Sequence, residues 1–269
     1  MKEETWMPVD MSQSSHVLLE VKNLSKSFRG LMALQNYNVQ LTEGEILGII
    51  GPNGAGKSTV FNLLTGHLNL TKGSIVFRNI DITHAAPEEI AGLGIGRTFQ
   101  NIRLFGSMSC IGNVIAAMQM KERQSLLGAI LNLSHFREQE KRFAMQARTL
   151  LALFNLQEHA DSPALSLSYG DQRRLEIVRA VALKPRLLLL DEPTAGMNPH
   201  ESAEVINLIK RIHDEYHLTI IIIEHNMPLV MKVCSRLQVL NYGEIIAEGK
   251  PENVRNDPRV IESYLGRVG

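Results

Sequence analysis

Gly51, Pro52, Asn53, Gly54, Ala55, Gly56, Lys57 and Ser58 follow the spacing G-x-x-x-x-G-K-S. Those residue types in that order suit the binding of a phosphorylated anion. Glycines let the backbone curl until successive N–H groups face one oxyanion. The N-terminus of a following helix adds partial positive charge. Lys57 can reach β- and γ-phosphates as a point charge. The hydroxyl of Ser58, with Thr59 beside it, is an oxygen donor of the kind Mg²⁺ accepts. Glycines in a strand–turn–helix can also serve packing alone. Here an apolar run at 45–50 precedes the loop and a helical pattern at 59–64 follows it, the context a phosphate loop requires.

A second constellation lies about 130 residues further on, where Leu187, Leu188, Leu189 and Leu190 lead into Asp191, Glu192 and Pro193. Adjacent acids on a surface are usually a solvated pair. These two end a wholly apolar run, and ligands of open α/β sheets bind beyond the carboxyl ends of strands. Asp191 is placed to hold a Mg²⁺ shell. Glu192 is placed to act as general base on an attacking water.

The elements that must carry these groups read as α/β. The chain has 269 residues, enough to bury a large core. Hydrophobic residues are 44% and charged residues 21%, which excludes a disordered or collagen-like chain. Lys and Arg total 28 and Asp and Glu total 28, so the surface lacks the basic excess of a nucleic-acid binder. Cys110 and Cys234 have no metal or disulfide spacing, and a reducing compartment is expected. No run of 18 apolar residues is present, and residues 1–16 read as a polar tail without a secretory pattern, with Met11 as a second candidate start.

Short patterns at 18–21 and 37–41 predict edge strands, and 45–50 and 74–77 predict two more. Runs at 187–190 and 219–223 suit strands buried on both faces of a parallel sheet. Helices are expected over 88–93, 171–183, 205–216 and from 227. The runs 237–241 and 245–247 flank a Tyr-Gly-Glu turn as a terminal hairpin. From 113 to 156 there is no strand signal. Phe143, Ala147, Leu150, Leu151 and Phe154 recur on one helix face, so residues 110–165 read as a helical lobe inserted into the core.

Gly51–Ser58, the element Leu167-Ser168-Tyr169-Gly170 before a helix, Asp191-Glu192 and His225 together resemble the nucleotide-binding subunits of ATP-binding cassette (ABC) transporters. The resemblance covers residues 17–250, with 1–16 as a flexible tail and 251–269 as a short C-terminal tail. It implies a phosphate-loop, RecA-like ATPase core with an antiparallel β subdomain and an inserted α-helical lobe. It also implies ATP and Mg²⁺ as ligands. Phe28 matches the aromatic that stacks on adenine. Gln100 matches the glutamine that meets Mg²⁺ and water, and His225 the histidine that contacts the γ-phosphate. Ser168, Tyr169 and Gly170 match the element that closes over the ATP of a second cassette, so a complete site needs two chains head to tail. Asp171 stands where the family usually has Gln, and Asn198 where many members have Asp. A negative charge at 171 suits the first turn of a helix yet is expected to repel a nearby phosphate.

Three stretches narrow the resemblance: Gly94 to Phe105, Leu167-Ser-Tyr-Gly170 with Arg173-Arg174-Leu175-Glu176, and Ala195-Gly-Met-Asn198-Pro199. With Asp257-Pro258 and Tyr264-Leu265-Gly266, and an insertion that includes residues 125–133, they are similar to the ATPases of branched-chain amino-acid importers. That group shares these features with importers of amides or urea. The resemblance implies a second, related cassette, two membrane permease subunits, a periplasmic solute-binding protein and a peripheral place at the cytoplasmic face of the membrane. The competing reading is a soluble ABC-type assembly ATPase, with the same motifs around ATP and no permease.

Overall fold

The computed structural model describes residues 16–121 and 133–265. The N-terminal tail up to 15 and most of the 125–133 segment lie outside the described residues. Two sheets organise the chain. Strands β1 (Val17–Phe28), β2 (Leu31–Thr42), β4 (Lys72–Phe77) and β5 (Ile80–Asp81) form an antiparallel sheet in the order β2-β1-β4-β5. Strands β3 (Ile46–Ile50), β6 (Ile95–Arg97), β7 (Leu187–Asp191), β8 (Thr219–Ile223), β9 (Arg236–Asn241) and β10 (Glu244–Gly249) form the second, in the order β10-β9-β3-β8-β7-β6. All of its pairings are parallel except β9 with β10.

Helices α1 (Lys57–Leu64) and α2 (Pro87–Gly92) precede β6. Between β6 and β7 lie α3 (Cys110–Lys121), α4 (Leu133–Leu153), two 3₁₀ turns and α5 (Tyr169–Ala182). Helix α6 (Pro199–Tyr216) joins β7 to β8, and α7 (Met227–Val233) joins β8 to β9. Helices α8 (Pro251–Arg255) and α9 (Pro258–Leu265) close the described chain.

Every residue of β3, β7 and β8 is buried, as a central parallel sheet demands. Alternation along these strands divides the interior in two. Leu188, Leu190, Ile220 and Ile222 join one core, which includes Phe143, Ala147, Leu150, Leu151 and Phe154 of α4 and its C-terminal end. Leu187, Leu189, Ile221 and Ile223 join the other, which includes Leu19, Val21, Val39 and Leu41 of the antiparallel sheet. The parallel sheet is thus the wall shared by two cores, with the antiparallel sheet, α1 and α2 on one side and α3 to α7 on the other.

Two expectations are corrected. The pattern at 18–21 belongs to a twelve-residue strand that sits between β2 and β4, so it is not an edge. Register shifts between Val17 and Ser27 break its alternation, which is why only a fragment showed a period of two. The 237–241 strand is not merely half of a hairpin: β9 also pairs in parallel with β3 and lies inside the main sheet. Strand β6 gave no sequence signal because it is three residues long with Gly96 at its centre. The start of α6 was also missed. Asn198 caps it, accepting from the N–H groups of His200 and Glu201 at 2.9 and 3.0 Å, while Glu201 returns a bond to the Asn198 N–H.

Candidate nucleotide site

The row of strand ends explains how residues far apart in sequence share one place. Ile49 pairs with Ile223, Asp191 pairs with Ile223, and Arg97 pairs with Leu189. The carboxyl ends of β3, β8, β7 and β6 are therefore level. From β3 the chain runs into the phosphate loop, from β8 into His225, from β7 into Asp191 and Glu192, and from β6 into Gln100. With neighbouring strands about 4.8 Å apart, the row is about 14 Å wide, the scale of a nucleotide triphosphate tail and its reacting groups.

The loop's shape depends on its glycines. Gly51, Gly54 and Gly56 have φ of 147°, 80° and 106°. A Cβ on Gly51 would lie 2.0 Å from the Leu240 carbonyl oxygen, and one on Gly56 2.6 Å from that of Ala33. Pro52, Asn53 and Ala55 complete the turn, and Ala55 is buried. Lys57 opens α1 and curls back, donating to the carbonyls of Gly51 and Pro52 at 2.8 and 2.9 Å. Burial lowers its pKa, and the nearby carboxylates of Glu192 and Asp191 oppose that shift. Lys57 thus stands within electrostatic reach of both acids. Ser58 and Thr59 follow on the first turn of α1. Helix α9 brings Tyr264 near the Gly51 backbone; burial raises its pKa, and the Gly51 N–H opposes the rise.

Asp191 is buried and carries an ion pair that sequence reading missed. Arg97 Nη2 donates to its Oδ2 at 3.0 Å, and Arg97 Nη1 donates to Asn62 at 2.7 Å and Thr65 at 3.1 Å, both on or just after α1. The Asp191 N–H is received by Thr98 Oγ1 at 3.1 Å. Burial raises the pKa of Asp191, Arg97 opposes that, and Glu192 adds to it. The motif around residue 97 was visible in the sequence, but nothing local linked an arginine to an aspartate 94 positions away. Glu192 leaves the strand at once: its φ is 47° and its N–H meets the Ile223 carbonyl at 2.9 Å.

His225 is exposed and follows Glu224, which is fully buried. Glu224 accepts from the Thr194 N–H at 3.0 Å, the Thr194 hydroxyl at 2.6 Å and the His225 N–H at 3.3 Å. One carboxylate therefore braces the turn after Glu192 against the turn that carries the histidine. The Gln100 side chain is exposed, three residues beyond β6. Phe28 is 41% exposed at the tip of the β1–β2 hairpin, beneath Lys26 Nζ at 4.9 Å, and its returning strand brings Ala33 against Gly56.

Ser168, Tyr169 and Gly170 sit elsewhere, at the start of α5. Ser168 caps that helix, accepting from the Asp171 N–H at 3.1 Å and donating its own hydroxyl to Asp171 Oδ2 at 2.8 Å. Tyr169 is about half exposed and lies against Gly196, where a Cβ would come within 3.0 Å of its ring. Gly170 faces Glu201. This group borders the 195–198 turn of its own chain, and its polar edge is exposed.

The residues present fit a Mg²⁺–nucleotide. Among the described residues no three His, Cys, Asp or Glu side chains gather into a metal cage. A hydroxyl, one carboxylate and phosphate oxygens are the donors that octahedral Mg²⁺ takes in such sites. Ser58, Asp191 and the Gln100 amide supply oxygen donors of that chemistry. Among the described residues, no helix is long and apolar enough to cross a membrane.

Comparison with known proteins agrees with this geometry. A family model described as ABC transporter matches residues 34–195, and one described as branched-chain amino acid ATP-binding cassette transporter matches 244–269. The high-affinity branched-chain amino acid transport ATP-binding protein LivG of Escherichia coli K12 is 43% identical over 254 residues, covering 94% of this chain and all of that one. The ADP conformation of MJ1267, an ATP-binding cassette of an ABC transporter, superposes with a TM-score of 0.81 at 32% identity, covering 94% and 100%. A dimeric, post-hydrolysis state of the cassette MJ0796 bound to ADP and Pi superposes with a TM-score of 0.74 at 26% identity, covering 87% and 98%. The chain belongs to the ATP-binding subunits of ABC transporters and is an ATPase of that family.

Proposed function

We propose that this ATPase energises import of leucine, isoleucine and valine through an ABC transporter, from the cytoplasmic face of the membrane. The observation that supports the solute class is the 43% identity to LivG across nearly the whole chain, together with the match at 244–269. The partners are a second cassette, related and non-identical, two permease subunits and, through them, a periplasmic binding protein. The dimeric MJ0796 neighbour supports the pairing of cassettes. Phe105, Met108 and Leu165 form an exposed apolar group at the border of the 99–108 segment and the helical lobe, which supports a seat for a permease segment.

In this reading Phe28 stacks on adenine, and residues 51–59 hold the phosphates. Ser58, Gln100 and Asp191 would hold Mg²⁺, which when bound would supply positive charge to the phosphate oxygens. Glu192 takes the proton of the attacking water. His225, held by the Glu224 bonds, contacts the γ-phosphate. Ser168, Tyr169 and Gly170 complete the site of the paired cassette, so one chain alone hydrolyses ATP slowly. Phosphoryl transfer of this kind is driven by positioning and charge, which is what a rigid row of strand ends supplies.

Glu192→Gln tests the base. It is expected to keep ATP affinity and to lower turnover in the assembled transporter by roughly 10²–10⁴-fold. Retained turnover would remove Glu192 from the mechanism. Purification of that variant with ATP and Mg²⁺ from detergent-solubilised cells is expected to carry permease subunits and a second cassette with it. Recovery of soluble partners alone would favour an assembly ATPase instead.

A further inference from the structure

One face of α5 carries charges that the hydrolysis scheme does not use. Arg173 is 2% exposed. Its Nη1 donates to the Phe99 carbonyl at 2.6 Å and to Glu176 Oε2 at 3.0 Å, and its Nη2 donates to the Gln100 carbonyl. Glu176, also buried, accepts the N–H of Phe99 at 3.3 Å. Arg179 then donates to the Arg103 carbonyl. Positions 173, 176 and 179 recur every three residues, so they share one side of the helix. The Arg103 guanidinium closes the arrangement, 4.1 Å from the centre of the Phe99 ring.

The segment 99–103 is therefore gripped by backbone bonds at both ends, with Gln100 inside the grip. A buried ion pair is a weak source of stability, because desolvating two charges offsets most of their attraction. A pair of apolar side chains would fill this space at no greater cost. What apolar side chains would not do is bond the carbonyls of Phe99 and Gln100 and the N–H of Phe99 at the same time.

We propose that Arg173 and Glu176 are positioning residues for Gln100, tying its placement to the helix that begins at Ser168. The inference rests on the assignment of Gln100 made above. It adds a link between the two nucleotides of a cassette pair. Ser168 faces the partner's nucleotide and Gln100 faces the chain's own.

The test replaces the pair as a unit, Arg173→Met with Glu176→Met, so that neither member is left buried without the other. Steady-state hydrolysis is measured in the purified assembly of this chain with its second cassette and permease subunits, with ATP affinity of the chain measured separately. KM and affinity are expected to stay within about twofold, while kcat falls about ten- to a hundredfold. Amide exchange over 99–103 is expected to rise by about tenfold or more. In a Gln100→Ala background the same pair is expected to lower kcat by less than about twofold further, since it acts through the group already removed. Arg173→Lys, which keeps the charge but not the two-pronged grip, is expected to retain part of the rate. A wild-type kcat in the paired variant overturns the proposal, as do losses that multiply with that of Gln100→Ala. If Gln100→Ala itself leaves kcat unchanged, the assignment of Gln100 has failed and takes the proposal with it. If Gln100→Ala is impaired and the paired variant is not, only the clamp is refuted.

Discussion

Asp171 offers the sharpest test of how α5 meets a second cassette. The Ser168 hydroxyl is engaged twice within its own chain: it accepts from the Asp171 N–H at 3.1 Å and donates to Asp171 Oδ2 at 2.8 Å. To donate to a γ-phosphate, Ser168 must release the carboxylate and leave that charge beside the phosphate. A hydrogen bond to a charged group contributes about 1.5–3 kcal/mol, against about 1 kcal/mol for a neutral one. Asp171→Gln therefore lowers the cost of freeing the hydroxyl by about 1.4 kcal/mol per site, or about tenfold in association. The opposing loss is local. An acid in the first turn of a helix contributes about 0.3–1 kcal/mol, and the partly exposed Arg174 contact at 3.6 Å adds little. The substitution should thus destabilise the isolated chain slightly while strengthening ATP-driven pairing. Sedimentation velocity of this chain mixed with the second cassette, with ATP and Mg²⁺ and on a Glu192→Gln background that keeps ATP bound, reads the second effect. Chemical denaturation without nucleotide reads the first. Unchanged or weaker pairing by a folded variant would show that Ser168 does not donate across the interface.

Other consequences follow from burial and close packing. Arg97→Met leaves the Asp191 carboxylate buried without its partner and should cost about 3–5 kcal/mol in denaturant unfolding. A loss under about 1 kcal/mol would show that the pair is dispensable. Gly51→Ala should abolish ATP binding because its Cβ meets the Leu240 carbonyl oxygen, a backbone atom that no side-chain rotation can clear; wild-type affinity by calorimetry would contradict the loop geometry. Cys110 and Cys234 are buried, and burial raises the pKa of both thiols. Neither should react with a disulfide reagent at neutral pH until the chain unfolds, when both should titrate; rapid native labelling would place them at the surface.

Much of the architecture could be read from local pattern. The phosphate loop announced itself because its chemistry is made of neighbours: glycines, a lysine and a hydroxyl in one turn. The runs at 187–190 and 219–223 announced parallel strands because strands covered on both faces are apolar throughout. The face formed by Phe143, Ala147, Leu150, Leu151 and Phe154 announced a helix, and all five are buried. Strand β6 stayed hidden because three residues with a central glycine give no period, and the length of β1 stayed hidden because bulges interrupt its alternation.

The side chains that hold the site were not legible, for a different reason. Arg97 with Asp191, Glu224 with Thr194, and Arg173 with the backbone of Phe99 and Gln100 span 94, 30 and 73–74 positions. Sequence periodicity reports which face of an element is apolar; it carries no record of which distant charge meets which. By itself the sequence determined the fold class and the family, because these depend on residue types and short spacings. Only the tertiary structure decided that Arg97 engages Asp191, that Ser168 is held by Asp171, and that α5 grips the segment around Gln100. Those arrangements depend on strand order and helix docking, which bring distant residues within hydrogen-bond reach and out of water.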